Sequence, residues 1–331
     1  MPGPFVHIID PIIISIFGVH LWWYGLSFTL GFLNAHIFLR RNRDRVRLPL
    51  SAIYDLTIFL AVGVLIGGRM LVVVNNEWEF YRDHLLLIPS IWVGGFASHG
   101  LIFGGAAGVL LFCYLYKVDF RKLLDLLAIS AAIILGFGRI GNFIDGQIFG
   151  SLTDLPWGVQ FPNVEGFRHP VVLYDGLKNF LLVPLLLWIR SRGVPPGRVA
   201  AIFCILYAGL RIPIDLLREY PTTMWNLPNG QMLNILMLVI GIVALTVNIY
   251  RNRNDEPLDD PEHSIIPERP LLWRKIVLAA ICVVPLVIPS DATRDIPATY
   301  GKRHSGLEHS WMYPNISEAL ADAENEKEGR K

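Results

Sequence analysis

Charge is what this 331-residue chain has least of: Asp, Glu, Lys and Arg make up 17% of it, where soluble domains carry about 25%. Its 29 basic and 28 acidic residues leave a net charge of +1, so nothing points to a polyanionic partner and no nucleic acid is expected. Cysteine is equally sparse. Cys113, Cys204 and Cys282 each lie inside an apolar run, and read as small buried hydrophobes and not as a disulfide framework. The first ten residues carry no Lys or Arg, so the pattern of a cleavable signal peptide is missing and the first apolar helix is expected to direct insertion. His7, His20 and His36 are isolated, and His99 and His169 have no Cys or His neighbour; no metal site and no cofactor follow from that spacing. There is no internal repeat, no strand before a glycine-rich loop to cradle phosphate, and no nucleophile-elbow motif to support a Ser–His–Asp triad.

What the chain has is hydrophobic length. It is 53% hydrophobic, with a mean hydropathy of +0.45. A membrane-crossing helix needs about 20 apolar residues, and such runs fall at 11–39, 52–74, 98–116, 123–144, 171–189, 199–217 and 231–250. A shorter run at 276–289 contains Pro285. The expected fold is an all-α polytopic membrane protein of seven transmembrane helices, with a candidate eighth and an external arm or cap. Residues 1–250 would form the membrane core, with 145–170 as the arm within it. Residues 251–270 read as an acidic, Pro-containing linker, 271–289 as the candidate eighth helix, and 290–331 as a polar external tail without fixed structure.

Lys and Arg in the short loops give an orientation. The first connection holds Arg40, Arg41, Arg43, Arg45 and Arg47 against Asp44; the third holds Lys117, Arg121 and Lys122; the fifth holds Arg190, Arg192 and Arg198. The alternate connections, 75–90 and 145–170, are poor in base. The N-terminus is therefore expected outside and the basic loops inside.

On that topology the polar residues converge at one depth. Arg69, His99, Arg139, Asn142, Arg211 and Asp215 all fall near the outer ends of their helices, and Tyr24 lies after Trp22 and Trp23. Ionisable residues within spans are costly and mark functional sites by default. Arg139 and Asn142 are three apart and share a helix face, with Gly138 and Gly141 beside them. Arginine suits phosphate because its planar guanidinium keeps its charge and offers a fork of donors, so an anionic phospholipid is the expected ligand. Blander readings stand beside this one. Arg69, near a helix end, reads as a snorkelling side chain, His99 as a capping group and Tyr24 as part of an aromatic belt. The glycines from Gly94 to Gly108 read as close helix packing.

These residues resemble those of the bacterial prolipoprotein diacylglyceryl transferases. The likeness runs from about residue 22 to 241 and rests on Trp23-Tyr24-Gly25-Leu26, Gly67-Gly68-Arg69, Ser98-His99-Gly100 and Gly138-Arg139-Ile140-Gly141-Asn142-Phe143-Ile144, then on His169-Pro170, Leu173-Tyr174-Asp175, Gly209-Leu210-Arg211-Ile212 and Gly230-Gln231. The resemblance implies an inner-membrane enzyme that moves the diacylglyceryl group of phosphatidylglycerol to the lipobox cysteine thiol in a prolipoprotein signal peptide, the first step of lipoprotein maturation. It implies His99, Arg139, Arg211 and Tyr24 as catalytic residues. Arg139, Asn142, Arg69, Gly100, Asp145, Gln147, Gly150, Tyr174 and Asp215 would bind substrate. The family's pattern is broken at Leu101, where a second glycine is usual, and at Asp145-Gly146-Gln147, where Asn-Gly-Glu is usual; Asp175 and Asp215 stand where glutamate is common. Leu101 and Gln147 leave a second reading open, a divergent paralogue that binds or moves an anionic phospholipid without transferring it.

Overall fold

A computed structural model describes residues 5–146, 148–162, 164–219, 229–254, 266–290 and 295–315. The first expected span does not begin at residue 11. Residues 12–22 form an antiparallel hairpin of β1 (Ile12–Ile16) and β2 (Val19–Trp22). Its turn places Phe17 and Gly18 at φ 49° and 79°, a conformation glycine takes without strain, and the β-branched residues before it favour a strand. Helix α1 starts only at Trp23 and runs Trp23–Arg41.

Seven more helices of at least 12 residues follow among the described residues: α2 (Leu50–Leu71), extended by a π-helical turn over Val72–Asn76, α3 (Ser98–Tyr116), α4 (Phe120–Asp145), α5 (Val171–Ser191), α6 (Arg198–Leu216), α7 (Asn229–Asn254) and α8 (Leu272–Val283). Six of the described helices are long and apolar enough to cross a membrane: α2 to α7. The count of seven with a candidate eighth is not reproduced on that criterion. Polar Asn34, His36, Arg40 and Arg41 dilute α1. Helix α8 has 12 residues, about 18 Å of rise, against a hydrocarbon core of about 30 Å.

Small residues set the packing. A Cβ on Gly104 would collide with the Gly63 carbonyl, and one on Gly67 with the Gly100 carbonyl, so α2 and α3 touch backbone to backbone. Helix α1 lies along α4, where a Cβ on Gly141 would come within 2.9 Å of Tyr24 Cα. Asp119 caps the start of α4 by accepting the Arg121 N–H at 2.9 Å. The helix ends at Gly146, left-handed at φ 69°, whose N–H returns to the Asn142 carbonyl at 3.1 Å.

Residues 266–290 run the length of this bundle. At one end Glu268 accepts the first N–H groups of α2, from Leu50 at 3.1 Å and Ser51 at 2.9 Å. Arg274 then pairs with buried Asp55 through two bonds of 2.8 and 2.9 Å, and Pro285 presses on Gly25 of α1. At the other end Ser290 meets the last turn of α4. The expectation of an unstructured tail fails for residues 295–315. They form α9 (Ile296–Tyr300), and Ile296, Tyr300, Leu307 and Tyr313 pack with Ile12 and Trp22 of the hairpin. Apolar residues spaced among polar ones supply that core; composition averaged over the tail hides them. The segment 148–170 folds back on itself, with Thr153 N–H to Phe167 O and Arg168 N–H to Val159 O, both at 2.9 Å.

Candidate active site

Helix α5 contributes the residue around which the buried charges gather. Asp175 Oδ2 pairs with Arg139 Nε of α4 at 2.6 Å and with Arg211 Nη1 of α6, and its Oδ1 pairs with Lys178 Nζ at 2.7 Å. Lys178 sits three residues along the same face, over the Tyr207 ring. Asp215 pairs with Arg211 Nε at 3.4 Å and accepts from Asn234 Nδ2 of α7 at 2.9 Å. All of these side chains are buried. Among the described residues three cations thus face two carboxylates, an excess of one positive charge in a place where isolated charge is costly.

Arg139 is held on three sides. Besides Asp175 it donates from Nη1 to Asn142 Oδ1 at 2.9 Å and from Nη2 to Ser98 Oγ at 2.8 Å. A guanidinium has five N–H groups, so two remain for a ligand. A cavity beside it is lined by Tyr24, Ser27, Ser98, Leu101, Arg139 and Asn142. Gly138 leaves its own side open, with no atom within 4 Å of an added Cβ.

His99 joins the cluster through Asn234, with Nε2 at 2.9 Å from Asn234 Oδ1. Asp215 can only accept, so Asn234 turns its amide NH₂ to the carboxylate and its oxygen to His99. A neutral His99 therefore donates from Nε2 and keeps Nδ1 basic. This Asp–Asn–His relay orients the imidazole.

The structure brings together Tyr24, His99, Arg139, Asn142, Arg211 and Asp215, and leaves other expected site residues elsewhere. Arg69 is bonded elsewhere. Its guanidinium donates to the carbonyls of Ile88 at 2.9 Å, Leu87 at 3.0 Å, Ser90 at 3.3 Å and Gly94, and to the Tyr81 hydroxyl at 2.9 Å. It organises the connection between α2 and α3. Gly100 serves the α2–α3 contact. Gly150 lies in the folded-back segment, its N–H on His169 O at 2.9 Å, where an added Cβ would meet Leu217 O and Val171. The Tyr174 hydroxyl joins Trp157 Nε1 at 2.8 Å and His169 Nδ1 at 3.2 Å, tying that segment to α5. Asp145 ends α4 in helical conformation, and its carboxylate accepts the Ser290 N–H at 2.6 Å. Gln147 lies outside the described residues.

Reading the sequence missed Asp175, Lys178, Asn234, Ser98 and Ser290 as members of the site. Asp175 and Lys178, charged within an apolar run, carried the same signal as Arg139. Asn234 carried a weaker one, and nothing in the sequence marked Ser290.

Membrane-length helices around a buried, net-positive cluster define a polytopic membrane protein whose site suits an anionic ligand. The comparisons narrow that class: the chain belongs to the prolipoprotein diacylglyceryl transferase family, whose model matches residues 11–247. It is similar to the phosphatidylglycerol–prolipoprotein diacylglyceryl transferase of Geobacter sulfurreducens, 33% identical over 253 residues that cover 74% of this chain and 97% of the relative. The enzyme of the same name from Chromohalobacter salexigens is 34% identical over 261 residues, 76% of this chain and 95% of the relative.

Proposed function

We propose that this protein transfers the diacylglyceryl group of phosphatidylglycerol to the thiol of a lipobox cysteine in a prolipoprotein signal peptide. The observation that carries the reading is the excess of positive charge among the described side chains of the cluster: Arg139, Lys178 and Arg211 against Asp175 and Asp215. One phosphodiester supplies the single negative charge the cluster calls for.

In the reaction, the cysteine sulfur forms a C–S bond to the glyceryl carbon that carries the phosphate. The C–O bond to phosphate breaks, the thiol proton passes to a base, and glycerol phosphate leaves. Charge on the leaving phosphate grows along this path, and Arg139 and Arg211 are fixed in advance to receive it. Asn142 and Tyr24 line the cavity beside Arg139 and position the headgroup. His99, oriented by Asn234 and Asp215, takes the thiol proton; free thiols titrate near 8.5 and need such help at neutral pH.

The protein is placed in the bacterial inner membrane with its N-terminus and site outside and its basic loops in the cytoplasm. Helix α1 and the run 266–290 are the seventh and eighth crossings, supported by the contacts of 266–290 at both ends of the bundle. The segment 145–170 is then a periplasmic arm.

Complementation of a cell depleted of its own transferase tests this reading. Rescue of lipoprotein maturation by the wild type, and its loss with Arg139→Ala, is the expected result. No rescue by a well-inserted wild-type protein overturns it.

A further inference from the structure

The family match ends at residue 247, yet the chain beyond it returns to the site. Asn142 Nδ2 donates to the Ser290 hydroxyl, while Asn142 Oδ1 accepts a hydrogen bond from Arg139. The two bonds hold the amide from both ends and fix which way it faces. The Ser290 N–H also donates to Asp145 Oδ2 at 2.6 Å.

Arg303 completes the arrangement. Its guanidinium donates to the Asp145 carbonyl at 2.5 Å, to the Ile144 carbonyl at 3.4 Å and to the Ile9 carbonyl at 3.2 Å. The last carbonyls of a helix have no partner within it and favour a cation, so Arg303 caps the end of α4. The segment's described residues are held at several further points. Arg274 pairs with Asp55, Thr29 bonds the Cys282 carbonyl at 2.5 Å, and Gly25 admits Pro285 where any side chain would collide. His304 bonds Asp10 at 2.8 Å just before the hairpin and Ser15 at 3.1 Å on it.

We propose that the C-terminal segment is a working part of the transferase, in which Ser290 and Arg303 are positioning residues that set Asn142 and the end of α4 against Arg139. The proposal rests on the reading of Arg139 and Asn142 as the lipid-phosphate site. It also gives Asp145 a purpose in this chain: its carboxylate receives the segment.

The test uses full-length protein in vesicles containing phosphatidylglycerol, with a lipobox peptide as acceptor and Ser290→Ala, Ser290→Thr, Asn142→Ala and the Ser290→Ala/Asn142→Ala pair as variants. Ser290→Ala lowers kcat/KM for the lipid about tenfold, the effect of one hydrogen bond. The KM for the peptide and the melting temperature stay at the wild-type value, and Ser290→Thr restores activity. Arg303→Gln, which leaves Ser290 in place, lowers the same ratio. The double variant is no slower than Asn142→Ala alone, because Ser290 acts through Asn142. Additive losses, or a Ser290→Ala protein as active as wild type, overturn the inference. A fully active Asn142→Ala protein overturns instead the functional reading on which it rests.

Discussion

Three cations from α4, α5 and α6 reach the carboxylate of Asp175, two of them on one oxygen. Removing that carboxylate would leave Arg139, Lys178 and Arg211 buried together with Asp215 as the remaining counter-charge. Breaking a buried pair in this way costs about 3–5 kcal/mol. Asp175→Asn is expected to lower the melting temperature in detergent by several degrees and to abolish transfer, while Asp175→Glu keeps the charge and the fold; thermal denaturation with an activity assay checks both. Much of this was legible beforehand, because a charge in an apolar run stands out. Arg139, Asn142, Arg211, Asp215 and His99 were singled out that way, and the structure brings them into one buried cluster. Arg69 gave the same signal and another outcome, since sequence does not reveal that the carbonyls of Leu87, Ile88, Ser90 and Gly94 turn inward to meet it. Ser290 gave no signal. Its importance comes from contacts across 145 and 148 positions of sequence.

The elements were legible where an unbroken apolar run has the length of a span, as in α2 to α7, and not where a turn divides the run. Residues 12–22 are as hydrophobic as a span but turn at Gly18 into a hairpin. Residues 5–22 and 295–315, joined by the Arg303 bond to the Ile9 carbonyl and the His304 bond to Asp10, hold two perturbed histidines. Burial, with Arg303 nearby, holds His7 below the ordinary imidazole value, against the pull of its bond to the Phe143 carbonyl. Burial and the neighbouring His304 do the same to His20, against Asp10. Unfolded, both take up a proton near pH 6.5; folded, they do so only at lower pH. The stability of this unit is therefore full above about pH 6.5 and is lost as pH falls below it. Melting temperature measured from pH 7.5 to 5.5 should drop, and should drop less in His7→Gln; a flat profile for the wild type contradicts the assignment.

At the scale of the whole molecule, the topology proposed above has eight crossings with both described ends outside. Single-cysteine variants read this out with a membrane-impermeant reagent. Leu155→Cys and Glu308→Cys, both at exposed positions, should label in intact spheroplasts, and Arg47→Cys only after lysis; protection of Glu308→Cys would remove the crossing by 266–290. In the proposed reaction this bundle is a scaffold that holds an excess of positive charge near the end of α4, for a lipid phosphate to neutralise and then to leave. The most direct measurement of that claim is the mass of a lipobox peptide incubated with the purified protein in phosphatidylglycerol vesicles. The account predicts that the peptide gains a diacylglyceryl group on its cysteine, with one glycerol phosphate released per peptide, and that Arg139→Ala does neither. An unmodified peptide with active-site residues intact, or equal modification by Arg139→Ala, would contradict it.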